Sequence, residues 1–239
     1  MLNVILIQPP EPVEPWQSEL IANSVRGPCS EFNAIPTNIY VTNNDDGKTF
    51  GSEDCLYLNI YTPMNKSKLL PVIFWIYGGA FQTGGVNGFE QQYLIDQNII
   101  FVSSNYRHGI FGFMSTEDEV VPGNMGLKDQ SLALRWIHEN IQQFGGDPNR
   151  IALVGLSSGA ACVHYHYLSP MSAGLFNSGI SLSGTALNPW AISRSLRERT
   201  MRVANFLRCD TSNTTEMVSC LKKQPVGNLI TAQITLMVK

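Results

Sequence analysis

Hydrophobic positions along this chain fall into two alternating patterns. The first is a set of short apolar runs: "PVIFWIYG" (71–78), "IIFVSSNY" (99–106), "IALVGL" (151–156) and "GISLSG" (179–184). Each is rich in β-branched or aromatic residues and stops at a glycine-rich or polar turn. That is the pattern of strands buried on both faces of a mostly parallel sheet. The second pattern has helical spacing. In "GLKDQSLALRWIHENIQQFG" (126–145), Leu132, Trp136, Ile137 and Ile141 share one helix face. Segments 158–168, 190–207 and 214–223 read as further helices, and 43–52 as a loop. The alternation predicts an α/β sandwich whose working groups stand at the C-terminal ends of the strands.

Composition narrows the partners. The chain has 239 residues, enough for one domain. Sixteen basic residues face 19 acidic ones, a net charge of −3 with no basic tract. This argues against nucleic acid or an anionic membrane as the main partner. No apolar run reaches the ~20 residues of a membrane span. The opening "MLNVILI" lacks a basic flank and does not read as a signal peptide. Two other features lean toward an oxidising, secretory setting. Of the five cysteines, Cys209 and Cys220 flank a short polar stretch, and two N-x-S/T sequons begin at Asn65 and Asn213. An odd cysteine count leaves at least one thiol free.

The candidate chemistry sits at the third run. Gly155-Leu156-Ser157-Ser158-Gly159 fits G-x-S-x-G, with an apolar strand before it and the small residues Ala160-Ala161 after it. A sharp strand-to-helix turn holds such a serine strained and exposed, with the helix N-terminus beneath a developing oxyanion. The alternative is a tight turn with an ordinary serine. A second site follows the first run, where Gly78-Gly79-Ala80 lets backbone N–H groups face inward. With the N–H after the nucleophile, such a pair makes an oxyanion hole, here Gly79, Ala80 and Ser158, with Gly78 supporting them. A flexible loop is the alternative there.

At these residues the chain resembles the type-B carboxylesterases, the α/β-hydrolase branch that also holds the cholinesterases. "EDCLYLNIYTP" (53–63) looks like the family's second signature, and "FGGDPNRIALVGLSSG" (144–159) fits its serine signature. "NYRHGIFGFMST" (105–116) and "PGNMGLKDQ" (122–130) look like the segment between, and "LSGTALNPWA" (182–191) is similar to the insect branch. The resemblance implies one partial α/β-hydrolase domain over 1–239, the N-terminal half of a mixed, mostly parallel sheet with helices on both faces. It implies disulfides Cys29–Cys55 and Cys209–Cys220 with Cys162 free, and an ion pair between Arg107 and Asp147. Ser183 stands where the family has a serine that supports the catalytic acid. The substrate class is a small-molecule carboxylic ester, and no cofactor or metal is implied. Secretion and glycosylation at Asn65 and Asn213 go with it, while oligomeric state stays open.

The departures concern the proton acceptor. In the family the acid and histidine follow later strands, in the order Ser, Asp/Glu, His. Nothing here matches them, so the chain alone is expected to be inactive. Only His108, His138, His164 and His166 are present. His138 reads as solvated, and the spacing of His164 and His166 suits no metal site. His108 follows a strand near the elbow and is the one candidate substitute base, against a core or loop role. Leu156 makes the elbow's flank apolar. The loop between Cys29 and Cys55 holds Phe32, Tyr40 and Phe50 but no Trp, which disfavours a quaternary ammonium substrate. A neutral ester fits better. The alternatives are a non-catalytic adhesion or binding relative and an inactive truncated fragment.

Overall fold

Local chemistry accounts for most of the elements in the computed structural model, which describes residues 7–32, 49–64, 68–86 and 91–237. Beside the Cys29–Cys55 bridge, β1 (Glu31–Phe32) pairs antiparallel with β2 (Thr49–Phe50). The end of the expected 43–52 loop is thus a short strand. Asn65 and Tyr40 lie outside the described residues.

The apolar runs become strands of one sheet. Its members are β3 (Leu58–Tyr61), β4 (Leu70–Ile76), β5 (Ile100–Ser104), β6 (Gly146–Leu156) and β7 (Ser178–Leu182), in the order β3-β5-β4-β6-β7. β3 runs antiparallel to β5, and every other pairing is parallel. β6 is longer than its apolar run. "GDPNR" reads as a turn because Pro148 has no N–H to give a ladder. The structure absorbs it as an irregularity, pairing Leu70 with Gly146 and then Val72 with Ile151.

Two short helices, α1 (Gln92–Ile95) and α2 (Gly109–Phe113), flank β5 in sequence. α3 (Met125–Asn140) carries the expected amphipathic pattern and runs on through a 3-10 turn to Gly145, a left-handed cap at φ 85°. Its buried stripe is Ala133, Leu134 and Ile137, with Leu132 and Trp136 half-buried beside it. α4 (Ser158–Leu168) matches its expected bounds. α5 (Leu196–Phe206) starts later than expected, because Ser195 is left-handed at φ 58° and cannot begin a helix. α6 (Thr214–Lys222) is capped by Asn213, whose Oδ1 accepts from the Glu216 N–H at 3.1 Å. α7 (Val226–Met237) has no counterpart in the pattern reading.

The core has two main parts. One joins β4, β5 and β6 to α3 and α4 through Val72, Phe74, Val102, Leu134, Ile137, Leu153 and Val163. The other joins α2, α5, α6 and α7 through Ile110, Phe111, Val203, Met217, Leu221 and Leu229. Each such side chain, fully buried, contributes about 1.5–3 kcal/mol. The second cluster is closed by Cys209–Cys220, whose Cα atoms stand 5.8 Å apart. Cys162 is free and buried, and burial pushes its thiol up to about 12.

One pairing differs from expectation. Arg107 binds Asp129 on α3, not Asp147: its Nε donates to Oδ2 at 2.8 Å and its Nη2 to Oδ1 at 2.6 Å. The Arg107 N–H adds a third bond to Oδ2 at 3.0 Å. Asp129 is wholly buried, whereas Asp147 is partly exposed and closes a local turn onto the Asn149 N–H. A buried guanidinium takes the carboxylate that shares its desolvated site.

Candidate active site

The end of β6 and the start of α4 meet at Ser157. Its backbone sits at φ 57°, ψ −119°, a conformation that costs a non-glycine residue about 1–3 kcal/mol. Neighbours hold it there. Its N–H donates to Leu182 O at 2.8 Å, which ties the turn to β7. Its carbonyl accepts from Ala161 N at 3.1 Å, inside α4. Gly159 is required by close approach, since a Cβ there would stand 2.1 Å from Ile76 O. The serine itself is half-buried, while Ser158 beneath it is fully buried.

The loop after β4 lies against this turn. A Cβ on Gly78 would stand 2.5 Å from Leu156 O and 3.0 Å from Ser157 Cβ. The next three residues all have positive φ: Gly79 at 137°, Ala80 at 55° and Phe81 at 60°. Gly79 O turns back to accept from Gln82 N at 2.8 Å and Thr83 N at 3.1 Å. No hydrogen bond to the Gly79 or Ala80 N–H occurs among the described residues. The structure therefore brings Gly78, Gly79, Ala80, Ser157 and Ser158 together. Ser183 follows the β7 residue that anchors Ser157, and it is exposed at φ 61°. Around them stand apolar groups: Leu156 at 44% exposure, and Trp190 with its ring 6.3 Å from that of Phe81.

None of the four histidines hydrogen-bonds Ser157 among the described residues. His166 is buried between Ser172 Oγ at 2.8 Å and Gln130 Oε1 at 3.0 Å, and burial pushes it down to about 4. His164 Nδ1 accepts from the Ala186 N–H at 3.2 Å. His138 is half-buried on α3.

His108 is buried edge-on to the Tyr77 and Tyr106 rings, with its Nδ1 3.5 Å from Glu31 Oε2. Burial pushes His108 down to about 3. It pushes Glu31 up to about 8, partly offset by the Gly84 N–H donating to Oε2 at 2.6 Å. Between those values both groups are neutral, so the contact is not an ion pair. An imidazole that resists protonation and does not reach the serine is poorly suited as its base. Glu31 itself was invisible to sequence reasoning. It lies 53 residues from Gly84, and no local pattern encodes that bond.

Comparison with known proteins gives this geometry a family. A family model described as "Carboxylesterase family" matches residues 7–239. Venom carboxylesterase-6 of Apis mellifera is 49% identical over 220 residues, covering 91% of this chain and 38% of the relative. Juvenile hormone esterase of Tribolium castaneum is 42% identical, covering 90% of this chain and 36% of the relative. Bile salt-activated lipase of Mus musculus is also 42% identical, covering 87% and 35%. The chain thus spans well under half the length of the relatives it matches. With its mixed, mostly parallel sheet and Ser157 at the turn from β6 into α4, the chain belongs to the carboxylesterase family of α/β-hydrolases.

Proposed function

We propose that this chain supplies the nucleophile and oxyanion hole of a serine carboxylesterase acting on neutral carboxylic esters. Ser157 Oγ attacks the ester carbonyl carbon as its proton passes to a base. The carbonyl oxygen becomes an oxyanion, held by the N–H groups of Gly79, Ala80 and Ser158. Collapse breaks the carbon–oxygen bond, and the leaving alkoxide takes a proton to depart as the alcohol. Water then attacks the acyl-enzyme and releases the acid. No cofactor enters this sequence.

The observation that carries the reading is the strained Ser157 turn beside the adjacent Gly79 and Ala80 N–H groups, which have no hydrogen-bond partner among the described residues. The relatives' names as esterases and a lipase support it. The base and its acidic partner are proposed to come from sequence outside these 239 residues, because no histidine hydrogen-bonds Ser157 among the described residues. Ser183, beside the β7 anchor, is proposed to support that acid. The chain by itself is then inactive. A neutral substrate is supported by the apolar flank of Leu156, Phe81 and Trp190 and by Phe32 and Phe50 as the described aromatics of the Cys29–Cys55 loop.

A secretory location is supported by the two disulfides and by the sequon at Asn213. That residue is exposed, and a glycan on its Nδ2 leaves the capping Oδ1 free. Asn65 is the second proposed glycosylation site.

In the full-length protein that carries this chain, Ser157→Ala should lower kcat for a nitrophenyl ester by about 10⁴-fold or more. Retained turnover in that variant would overturn the assignment.

A further inference from the structure

The glycine loop cannot hold itself. Three successive positive φ angles at Gly79, Ala80 and Phe81 are costly for the two that carry a Cβ, so outside contacts must fix them. The far end is tied by Glu31 to the Gly84 N–H, and the middle by Phe81 O accepting from Gly109 N at 2.7 Å. The third tie comes from α7. Gln233 Nε2 donates to Gln82 Oε1 at 2.6 Å, and Gln233 Oε1 accepts from the Ile110 N–H at 2.6 Å.

The second of these bonds fixes the first. The Ile110 N–H lies in the first turn of α2, has no partner inside that helix and can only donate. The atom facing it must therefore be the amide oxygen, which turns the NH₂ of Gln233 toward Gln82. Space for this amide exists because residue 109 is glycine: a Cβ there would stand 2.4 Å from Gln233 Oε1 and 2.5 Å from Nε2. Gln82 in turn donates its own N–H to Gly79 O, at the base of the proposed oxyanion hole.

We infer that Gln233 is a positioning residue: through Gln82 it holds the Gly79 and Ala80 N–H groups in their working direction. The inference rests on the hydrolysis proposed above. Deleting an oxyanion donor outright typically costs about 10²–10³ in kcat, so loosening two of them should cost less, about tenfold.

The test uses the full-length protein and three variants. Gln233→Leu removes both bonds at similar volume. Gln82→Lys keeps the bond to Ile110 but sets its donor-only ammonium against the Gln233 NH₂, which that bond holds in place. Gln233→Glu with Gln82→Lys restores a donor–acceptor pair. Expected for both single variants is a kcat about tenfold lower for a nitrophenyl ester with KM within about twofold. Deuterium exchange should quicken in peptides covering 79–84, and the double variant should recover both properties. Unchanged exchange in 79–84 would overturn the inference whatever the activity. So would a loss of kcat that spreads faster exchange through the fold and is not rescued. If wild type and Ser157→Ala hydrolyse the ester equally, the esterase reading fails instead, and the exchange result still decides the role of Gln233.

Discussion

Arg107 and Asp129 show what burial does to charge at the level of single residues. Two desolvated ions joined by a forked contact are costly to separate, because removing one strands the other. Arg107→Leu or Asp129→Ala should therefore cost about 3–5 kcal/mol, a melting temperature roughly 10 °C lower. Asp147→Ala, which breaks only a local turn, should lower it by no more than a few degrees. Equal losses at 129 and 147 would show that the pairing has been misassigned. The resemblance implied Asp147 as the partner of Arg107, and sequence did not point to Asp129, because the partner depends on which aspartate the fold dehydrates.

Glu31 makes a pH-dependent case of the same physics. Its folded carboxyl titrates near 8, above the ordinary value of 4.5, so the folded state holds its proton more tightly than the unfolded chain does. The stability this contributes is complete below about pH 4.5 and is lost as pH rises through 8. Glu31→Gln should remove that slope. Melting curves between pH 5 and 8 should then show the wild type losing stability relative to the variant, and parallel curves would contradict the burial of Glu31.

At the scale of elements, legibility followed the continuity of the apolar pattern. The 151–156 run could be read directly because it is apolar or glycine throughout, and α4 because the small residues Gly159, Ala160 and Ala161 open it after the strand. The start of β6 could not, because Pro148 and Asn149 look like a turn and only pairing with β4 extends the strand through them. α7 was missed because "VGNLITAQITLM" is rich in residues of weak helix propensity. Its buried Leu229, Ile230 and Ala232 reveal a helix only once α5 and α6 are there to cover them. β7 lies at one end of the five-strand order, with Ile180 51% and Leu182 43% exposed. Such an apolar edge is a template for association. In the 239-residue chain, Ile180→Lys should raise soluble yield and reduce light scattering with little change in melting temperature. Scattering equal to wild type would show that β7 does not drive association.

For the molecule as a whole, the Ser157 turn and the glycine loop beside it were legible because each is a short contiguous motif. The supports were not: Leu182 O under Ser157, Glu31 under Gly84 and Gln233 under Gln82 all join residues far apart in sequence. The same holds for the proposed proton acceptor, which no local motif announces; among the described residues no histidine hydrogen-bonds Ser157. The account rests on Ser157 forming a covalent bond to the acyl group. Its most direct test is to inactivate the full-length protein with a fluorophosphonate, a reagent that captures activated serines, and to map the adduct by peptide mass spectrometry. The account predicts one adduct per molecule, on the peptide carrying Ser157, formed in step with loss of ester hydrolysis and absent from Ser157→Ala. Inactivation with the adduct on another residue, Ser157 remaining unmodified, would contradict it.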